Sequence, residues 1–337
     1  MKTSGKSAPI LDVCDLYKTY RLPRRQELKA VDGVSFSVMP GEVLGIVGES
    51  GCGKSTLGRC LLKLTPATSG QVLFEGRDIT HLPERTLRPL RQRMQMVFQD
   101  SYASLNPRRR IGDLLAEPLK VHPDAQGHKR SSAAIATRLQ ELMELVSLPT
   151  TALARYPHEF SGGQRQRINI ARAIALSPQL IVADEPVSAL DVSVQAQIIN
   201  LFADLQKQLG LTYIFIAHDL AVVRQISNRV AVMYLGRIVE IGDADAVLHT
   251  PAHPYTAALT AAIPRPVTGL ARPVPLQGDV PSPINRPSGC RFHTRCPYMQ
   301  TRCQEEDPIL HPIDDSGHEV ACHFPLSPVA STTHCNG

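Results

Sequence analysis

Between Gly48 and Ser55 the chain reads Gly-Glu-Ser-Gly-Cys-Gly-Lys-Ser, a spacing of glycines that few backbones can use. Glycines at 48, 51 and 53 leave successive N–H groups free to point inward at an anion, with no side chain in the way. The apolar run Val43 to Val47 ahead of the loop predicts a buried strand, and Leu57, Cys60, Leu61 and Leu64 behind it fall at helical spacing. Strand, glycine loop and helix together are the context that a phosphate-cradling loop requires. In such a loop Lys54 bridges the β- and γ-phosphates of a nucleoside triphosphate and Ser55 holds Mg²⁺ through its hydroxyl. The helix adds the positive end of its dipole. Cys52 reads as a small residue that the loop tolerates.

A second glycine pair lies about a hundred residues on, in Phe160-Ser161-Gly162-Gly163-Gln164. It opens a helix through Ile168, Ile170 and Ile174. Ser161 is either a helix N-cap followed by flexible glycines or, with Gly162 and Gly163, part of a second anion site. The apolar run Leu180 to Ala183 then ends in Asp184-Glu185-Pro186. Asp184, at a strand end beside the phosphate loop, fits a carboxylate that serves the Mg²⁺. Glu185 is placed to polarise an attacking water as general base. Many phosphate-loop proteins lack the second acid, so the pair favours a hydrolase over a slow switch.

The remaining pattern alternates. Val34, Phe36 and Val38 form a half-buried strand that stops at Pro40-Gly41. A helix is predicted around Leu139, Leu142, Met143 and Val146, and another through Val194, Ile198, Leu201, Phe202 and Leu205, ending near Gly210. Tyr213 to Ala217 reads as a strand ending at His218, and Val230 to Ile241 as a hairpin turning at Gly236-Arg237. Strands alternating with helices imply an α/β fold with a largely parallel sheet. No internal repeat occurs, so one nucleotide unit is expected and not two. From about Pro264 the character changes, with prolines at 264, 266, 273, 275, 281, 283 and 287. A linker and a small irregular extension are predicted there.

The net charge is +5, from 36 basic and 31 acidic residues, a mixed surface and not a polybasic footprint. No apolar stretch approaches the roughly 20 residues of a membrane helix, and no apolar segment follows the basic N-terminal residues as a signal peptide would need. The expectation is a soluble cytosolic protein whose membrane role, if any, comes through a partner.

The ordered motifs resemble the ATP-binding cassette of ABC transporters from about Leu11 to Pro264. Gly48–Ser55 matches the Walker A loop, which with Thr56 implies that Glu49, Ser50, Gly51, Cys52 and Gly53 also surround the ATP. Phe160–Gln164 matches the signature, with Phe where Leu is commoner. Leu180–Glu185 matches Walker B, and Ser188–Asp191 matches the D-loop. Gln99, after Met96-Val97-Phe98, matches the Q-loop glutamine that senses Mg²⁺ and water. His218 matches the switch histidine on the γ-phosphate, and Tyr20, with Tyr17 as its rival, matches the aromatic that stacks on adenine. The resemblance implies a P-loop NTPase with a RecA-like core, an antiparallel β subdomain and a helical signature subdomain at about residues 100–175. It also implies a division into a cassette, 1–263, and a proline-rich and cysteine-rich extension, 264–337. Two such cassettes close head-to-tail, each ATP lying between one partner's Walker A loop and the other's signature.

The segments Ala103–Pro107, Phe160–Arg167 and His253–Thr256 are similar to the dipeptide/oligopeptide importer branch, and in detail to its F-type dipeptide ATPase. That branch implies a second, homologous D-type ATPase, two integral membrane permease subunits and an extracytoplasmic substrate-binding protein. The expected place is peripheral, on the cytoplasmic face of the cell membrane. Nickel, glutathione and haem are alternative cargoes. A soluble ABC ATPase acting on nucleic acid or ribosomes is the rival class, but neither a second cassette nor a coiled-coil insertion is present, and no nucleic-acid partner is expected. A small-molecule kinase would have no use for the signature or for Glu185, and an inactive regulatory module would not need Lys54, Asp184, Glu185 and His218.

Cys290, Cys296, Cys303 and Cys322 follow the pattern C-x5-C-x6-C-x18-C, wider than the tight pairs of zinc ribbons. Four thiolates suit Zn²⁺ or an iron–sulfur cluster, and reduced cysteines that bind nothing are the third reading. Some members of the resembled branch bind a [4Fe–4S] cluster in this tail. His293, His318 and His323 are nearby alternatives as ligands, and Cys335 lies in a polar terminal stretch.

Overall fold

The computed structural model describes residues 8–100, 102–124, 126–262 and 278–326. The linker expected from Pro264 and the isolated Cys335 lie outside the described residues. The strands are β1 (Leu11–Arg21), β2 (Glu27–Val38), β3 (Val43–Val47), β4 (Ser69–Phe74), β5 (Arg77–Asp78), β6 (Met94–Val97), β7 (Leu180–Asp184), β8 (Thr212–Ile216), β9 (Arg229–Tyr234), β10 (Arg237–Asp243), β11 (His311–Pro312) and β12 (Glu319–Val320). The helices are α1 (Lys54–Leu61), α2 (Glu84–Leu87), α3 (Ile111–Val121), α4 (Ser132–Leu145), α5 (Gly162–Ile174), α6 (Val192–Leu209), α7 (Leu220–Ile226), α8 (Ala244–His249), α9 (Pro254–Ala261) and α10 (Thr301–Glu305).

Two sheets organise the chain. An antiparallel sheet runs β2-β1-β4-β5, and a larger one runs β11-β12-β10-β9-β3-β8-β7-β6. In the larger sheet β6, β7, β8, β3 and β9 are mutually parallel. The reason is visible in composition: every residue of β3, β7 and β8 is buried. Strands covered on both faces read as continuous apolar runs, as a parallel sheet with helical crossovers demands. Because β3, β6, β7 and β8 point the same way, the segments that follow them all emerge on one edge. Gly48, Phe98–Gln99, Glu185 and Ala217–His218 are those segments.

Helices α3, α4 and α5 form a layer whose Ile111, Leu115, Leu142, Met143, Ile168 and Ile170 join the core beneath β7 and β8. Ser131 caps α4 by accepting from the Ala134 N–H. Gly210 ends α6 in the left-handed region at φ 64°, as the sequence predicts.

The described part of the C-terminal extension is joined to the cassette by a ladder and by a shared core. Strand β12 pairs antiparallel with β10, Glu240 facing Val320 and Ile241 facing Glu319. Phe292 is inserted among Tyr234, Tyr255 and His253, with ring centroids 5.5, 5.4 and 5.7 Å away. The buried Glu240 carboxylate accepts from the Ala252 and His253 N–H groups at 2.7 and 2.9 Å, and its Oε1 lies 2.8 Å from Nε2 of the buried His318.

Candidate nucleotide site

The loop between β3 and α1 has the backbone that its glycines foretold. Gly48 and Gly53 have φ of 152° and 107°. A Cβ at Gly48 would stand 2.1 Å from the Met233 carbonyl oxygen, and one at Gly53 would stand 2.0 Å from that of Ala30. Both positions therefore exclude a side chain by conformation and by space. Lys54 is buried, and its ammonium donates to the carbonyls of Gly48 at 2.7 Å and Glu49 at 3.1 Å. Cys52 is buried below it, its thiol 3.9 Å from that ammonium. Burial pushes the thiol above its ordinary value against the opposing pull of Lys54, so Cys52 is a neutral filler.

Ser55 Oγ, in the first turn of α1, donates to Asp184 Oδ1 at 2.7 Å. Asp184 closes β7 and is almost wholly buried; burial raises its pKa, partly offset by the Ser55 hydrogen bond. Two hard oxygen donors at this spacing beside a phosphate loop are a fitting donor set for Mg²⁺. One residue on, Glu185 turns the chain with φ 45°, a left-handed conformation that costs a non-glycine residue about 1 to 3 kcal/mol. Its N–H bonded to the Ile216 carbonyl at 2.9 Å holds it there. The same carboxylate oxygen, Oε2, accepts from Gln99 Nε2 at 3.0 Å and lies 3.4 Å from His218 Nδ1. Gln99, Glu185 and His218 follow β6, β7 and β8, so the sheet itself converges them.

A cavity of about 470 Å³ lies over the loop, lined by Ser50 to Thr56, Gln99 and Glu185, and by Tyr20, Leu28 to Ala30, Leu235, Gly236 and Pro283. Tyr20 belongs to this wall, whereas Tyr17 packs its ring against Gly33, so of the two tyrosines only Tyr20 faces the cavity. Glu49 turns away from it: its carboxylate takes two hydrogen bonds from Arg295, at 2.8 and 3.0 Å. Ser161–Gln164 does not line the cavity. Ser161 caps α5, its Oγ accepting from the Gln164 N–H while Gln164 Oε1 accepts from the Ser161 N–H. Gly162 and Gly163 lie against Leu190 and Val194, where a Cβ would come within 3.2 and 2.5 Å. Signature and D-loop are thus packed together, and Asp191 stands exposed at the start of α6.

Residues 31–188 match the ABC transporter family, and residues 239–303 match the family of the oligopeptide/dipeptide transporter C-terminal region. The oligopeptide transport ATP-binding protein AppF of Bacillus subtilis is 49% identical over 332 residues, covering 96% of this chain and 99% of that protein. The chain belongs to the ATP-binding subunits of oligopeptide/dipeptide ABC transporters. A probable peptide ABC transporter ATP-binding protein of Sinorhizobium fredii, y4tS, is 56% identical over 297 residues, 88% of this chain and 82% of its own length. Among solved structures, the dimeric post-hydrolysis state of the ATP-binding cassette MJ0796 bound to ADP and Pi superposes with TM-score 0.63 at 28% identity, over 69% of this chain and 98% of that one. The fold is that of the ABC cassette, and the protein is an ABC ATPase. Among the described residues no helix is long and apolar enough to cross a membrane.

The four cysteines of the extension converge. Cys290, Cys296, Cys303 and Cys322 line one small pocket with His253, His293, His323, Phe292 and Phe324. They do not form a compact ligand set, for an iron–sulfur cluster or for zinc. Among the described residues no three His, Cys, Asp or Glu side chains are grouped so that they could hold a metal ion, whereas tetrahedral zinc needs ligands at about 2.3 Å from the metal. His318 faces away, to Glu240. Burial pushes the thiols of Cys290 up to about 12 and of Cys322 up to about 11, so without a metal both are neutral. Zn²⁺, an iron–sulfur cluster and reduced thiols are the three readings of these cysteines, and among the described residues no metal site is assembled. Arg295 and Pro283 are site residues that the sequence pattern gave no sign of, because 246 residues separate Arg295 from Glu49 and no local motif joins them; Glu49, expected to surround the ATP, instead faces Arg295.

Proposed function

We propose that this ATPase powers import of peptides, dipeptides in particular, across the cytoplasmic membrane. In this reading it sits peripherally on the cytoplasmic face, paired with a second, D-type ATPase, two integral membrane permeases and an extracytoplasmic binding protein. The oligopeptide/dipeptide match at residues 239–303 and relatives whose printed roles are in peptide transport support the cargo. The observation that carries the dimer is spatial: Ser161–Gln164 presents a helix N-terminus outside the cavity that holds its own Lys54. Each half of the anion site therefore needs a second cassette. A groove of about 230 Å³ between Met94–Phe98 and α5 begins at the residue before Gln99. Leu64, Phe98 and Tyr102 are exposed nearby, apolar surface of the kind a partner covers.

In this mechanism Tyr20 stacks on the base, the N–H groups of Gly51 to Thr56 take the phosphates and Lys54 swings from its loop carbonyls to the β- and γ-phosphates. Ser55 and Asp184 would hold Mg²⁺, which when bound would supply charge neutralisation at the phosphates. Glu185 accepts the proton of the attacking water, Gln99 fixes that carboxylate, and His218 reaches the γ-phosphate from the end of β8. Closure brings the partner's signature and D-loop over the ATP. The cassette is taken as residues 1–263 with its helical part at about 100–175, and the extension as 264–337. A [4Fe–4S] cluster on Cys290, Cys296, Cys303 and Cys322, with Zn²⁺ as the alternative, would require these side chains, which line one pocket, to draw together. Stoichiometric iron in anaerobically purified protein would carry it, and iron-free protein would leave four buried thiols.

The deciding experiment is ATPase activity of the reconstituted complex with binding protein loaded in turn with dipeptides, longer peptides, glutathione, nickel or haem. Stimulation by dipeptides is the expected result. Stimulation by nickel or haem alone would overturn the cargo.

A further inference from the structure

The C-terminal extension is tied to the nucleotide site by contacts that a packing role does not require. Arg295 lies at the end of a short helical turn, one residue before Cys296, and its guanidinium is almost entirely buried. It presents both terminal nitrogens to the two carboxylate oxygens of Glu49, at 2.8 and 3.0 Å. This is a bidentate, charge-assisted pair with fixed geometry. Tyr255 of α9 holds the same residue from its backbone, accepting from the Glu49 N–H at 2.9 Å. Glu49 is the second residue of the phosphate loop, and its carbonyl accepts from the Lys54 ammonium at 3.1 Å. Pro283 of the extension forms part of the cavity wall. Arg291 bonds the carbonyl of Leu235, another wall residue.

We propose that Arg295 is a positioning residue of the ATP site, fixing through Glu49 the loop conformation that receives the phosphates, so that the extension completes the site. A loop that must deliver several N–H groups to one anion gains affinity when its backbone is already held in the binding conformation. The Glu49 carboxylate, left without Arg295, would be a negative charge beside the site of a polyanion. Arg295 cancels it and turns it aside. The extension is therefore part of the binding site of an ABC ATPase, and its folding is felt at the phosphates. The inference rests on Gly48–Ser55 being the ATP site.

The test is MgATP affinity of the purified full chain, with KM and kcat of its ATPase in the assembled transporter. Arg295→Ala is expected to weaken ATP binding and raise KM about tenfold with kcat at saturation within about twofold. Arg295→Lys, which keeps the charge and loses the paired geometry, falls between. Glu49→Ala combined with Arg295→Ala should add little to the worse single variant, because the two act as one unit. A merely structural role would lower the amount of active enzyme, hence kcat, and leave KM of the folded fraction alone. ATP affinity of Arg295→Ala within about twofold of wild type would overturn the proposal. If that variant does not fold, Glu49→Gln serves, since it keeps the volume and breaks the paired charges; unchanged KM there overturns the proposal equally. Lys54→Ala separates the two levels: ATP binding retained in that variant removes the site itself, whereas binding lost there with Arg295→Ala unaffected removes only the role of Arg295.

Discussion

Ser55 Oγ donates to Asp184 Oδ1 across 2.7 Å, joining the first turn of α1 to the end of β7 over 129 residues of chain. The pair is where the two halves of the proposed Mg²⁺ site touch, and the Ser55 hydroxyl offsets the burial of Asp184 more than the charges of Arg59 and Lys54 do. Ser55→Ala removes the hydroxyl and leaves a buried carboxylate without that partner, at a cost of about 1 to 3 kcal/mol. The expected result is a lower melting temperature together with a steeper requirement for Mg²⁺ in the ATPase assay. Asp184→Asn, which keeps the hydrogen bond and loses the charge, should retain more of the stability while still needing more Mg²⁺. Equal Mg²⁺ dependence in wild type and both variants would count against the pair as a metal site.

The carboxylate of Glu185 is held by Gln99 and lies beside His218, and its backbone is bent into the left-handed region. Glu185→Gln keeps the shape and removes the base. Loss of a positioned general base lowers turnover by about 10² to 10⁴, while ATP affinity should stay close to wild type because the phosphates are held by the loop. Single-turnover hydrolysis beside nucleotide titration distinguishes these. Turnover near the wild-type level in this variant would sink the assignment of Glu185.

Glu185 was legible in the sequence because it follows a buried strand, where a run such as Leu180 to Ala183 announces itself by apolarity alone, whereas the roles of Gln99 and His218 came from the family resemblance. Val43 to Val47, Tyr213 to Ala217 and the hairpin at Gly236 were readable for the same reason. Strand β1 was not: its register slips between Val13 and Leu16 and again after Lys18, so the alternation that betrays a strand is broken by bulges. Helix α3 carries Pro118 inside it, which argued locally against a helix. The choice of Tyr20 over Tyr17 needed the packing of Tyr17 on Gly33. The bonds of Arg295 to Glu49 and of Arg286 to Asp32 join residues 246 and 254 positions apart, and no periodicity carries such information. The irregular, proline-rich look of the extension hid that it adds two short strands, β11 and β12, to the main sheet.

Glu240 makes that junction depend on one buried carboxylate. It accepts from the Ala252 and His253 N–H groups and pairs with His318, at 2.7, 2.9 and 2.8 Å. Glu240→Ala leaves two backbone donors and an imidazole unpartnered in the interior, a loss of about 3 to 5 kcal/mol. Glu240→Gln, which keeps an acceptor oxygen, should lose less. Urea unfolding of the full chain measures both. A loss below about 1 kcal/mol for the alanine variant, inside the range of ordinary surface changes, would contradict a central role for this carboxylate.

Asp32 gives the same junction a pH dependence. Burial alone would raise its pKa, but the Arg291 and Arg286 guanidiniums hold it down at about 2, with Arg237 a further 3.6 Å contact. A carboxyl whose folded value lies below the unfolded value of about 3.9 stabilises the fold fully above that pH. The contribution, about 2 kcal/mol, is lost as pH falls from about 4 through 2. Above pH 5 it should not vary. Asp32→Asn leaves three guanidiniums facing a neutral amide, so it is less stable than wild type at neutral pH. The gap should close as the pH approaches 2, because protonation removes the same charge from the wild-type chain. Urea midpoints for the two proteins at stepped pH values test this directly. A gap that stays constant down to the acid limit would mean that Asp32 is not held ionised by these arginines.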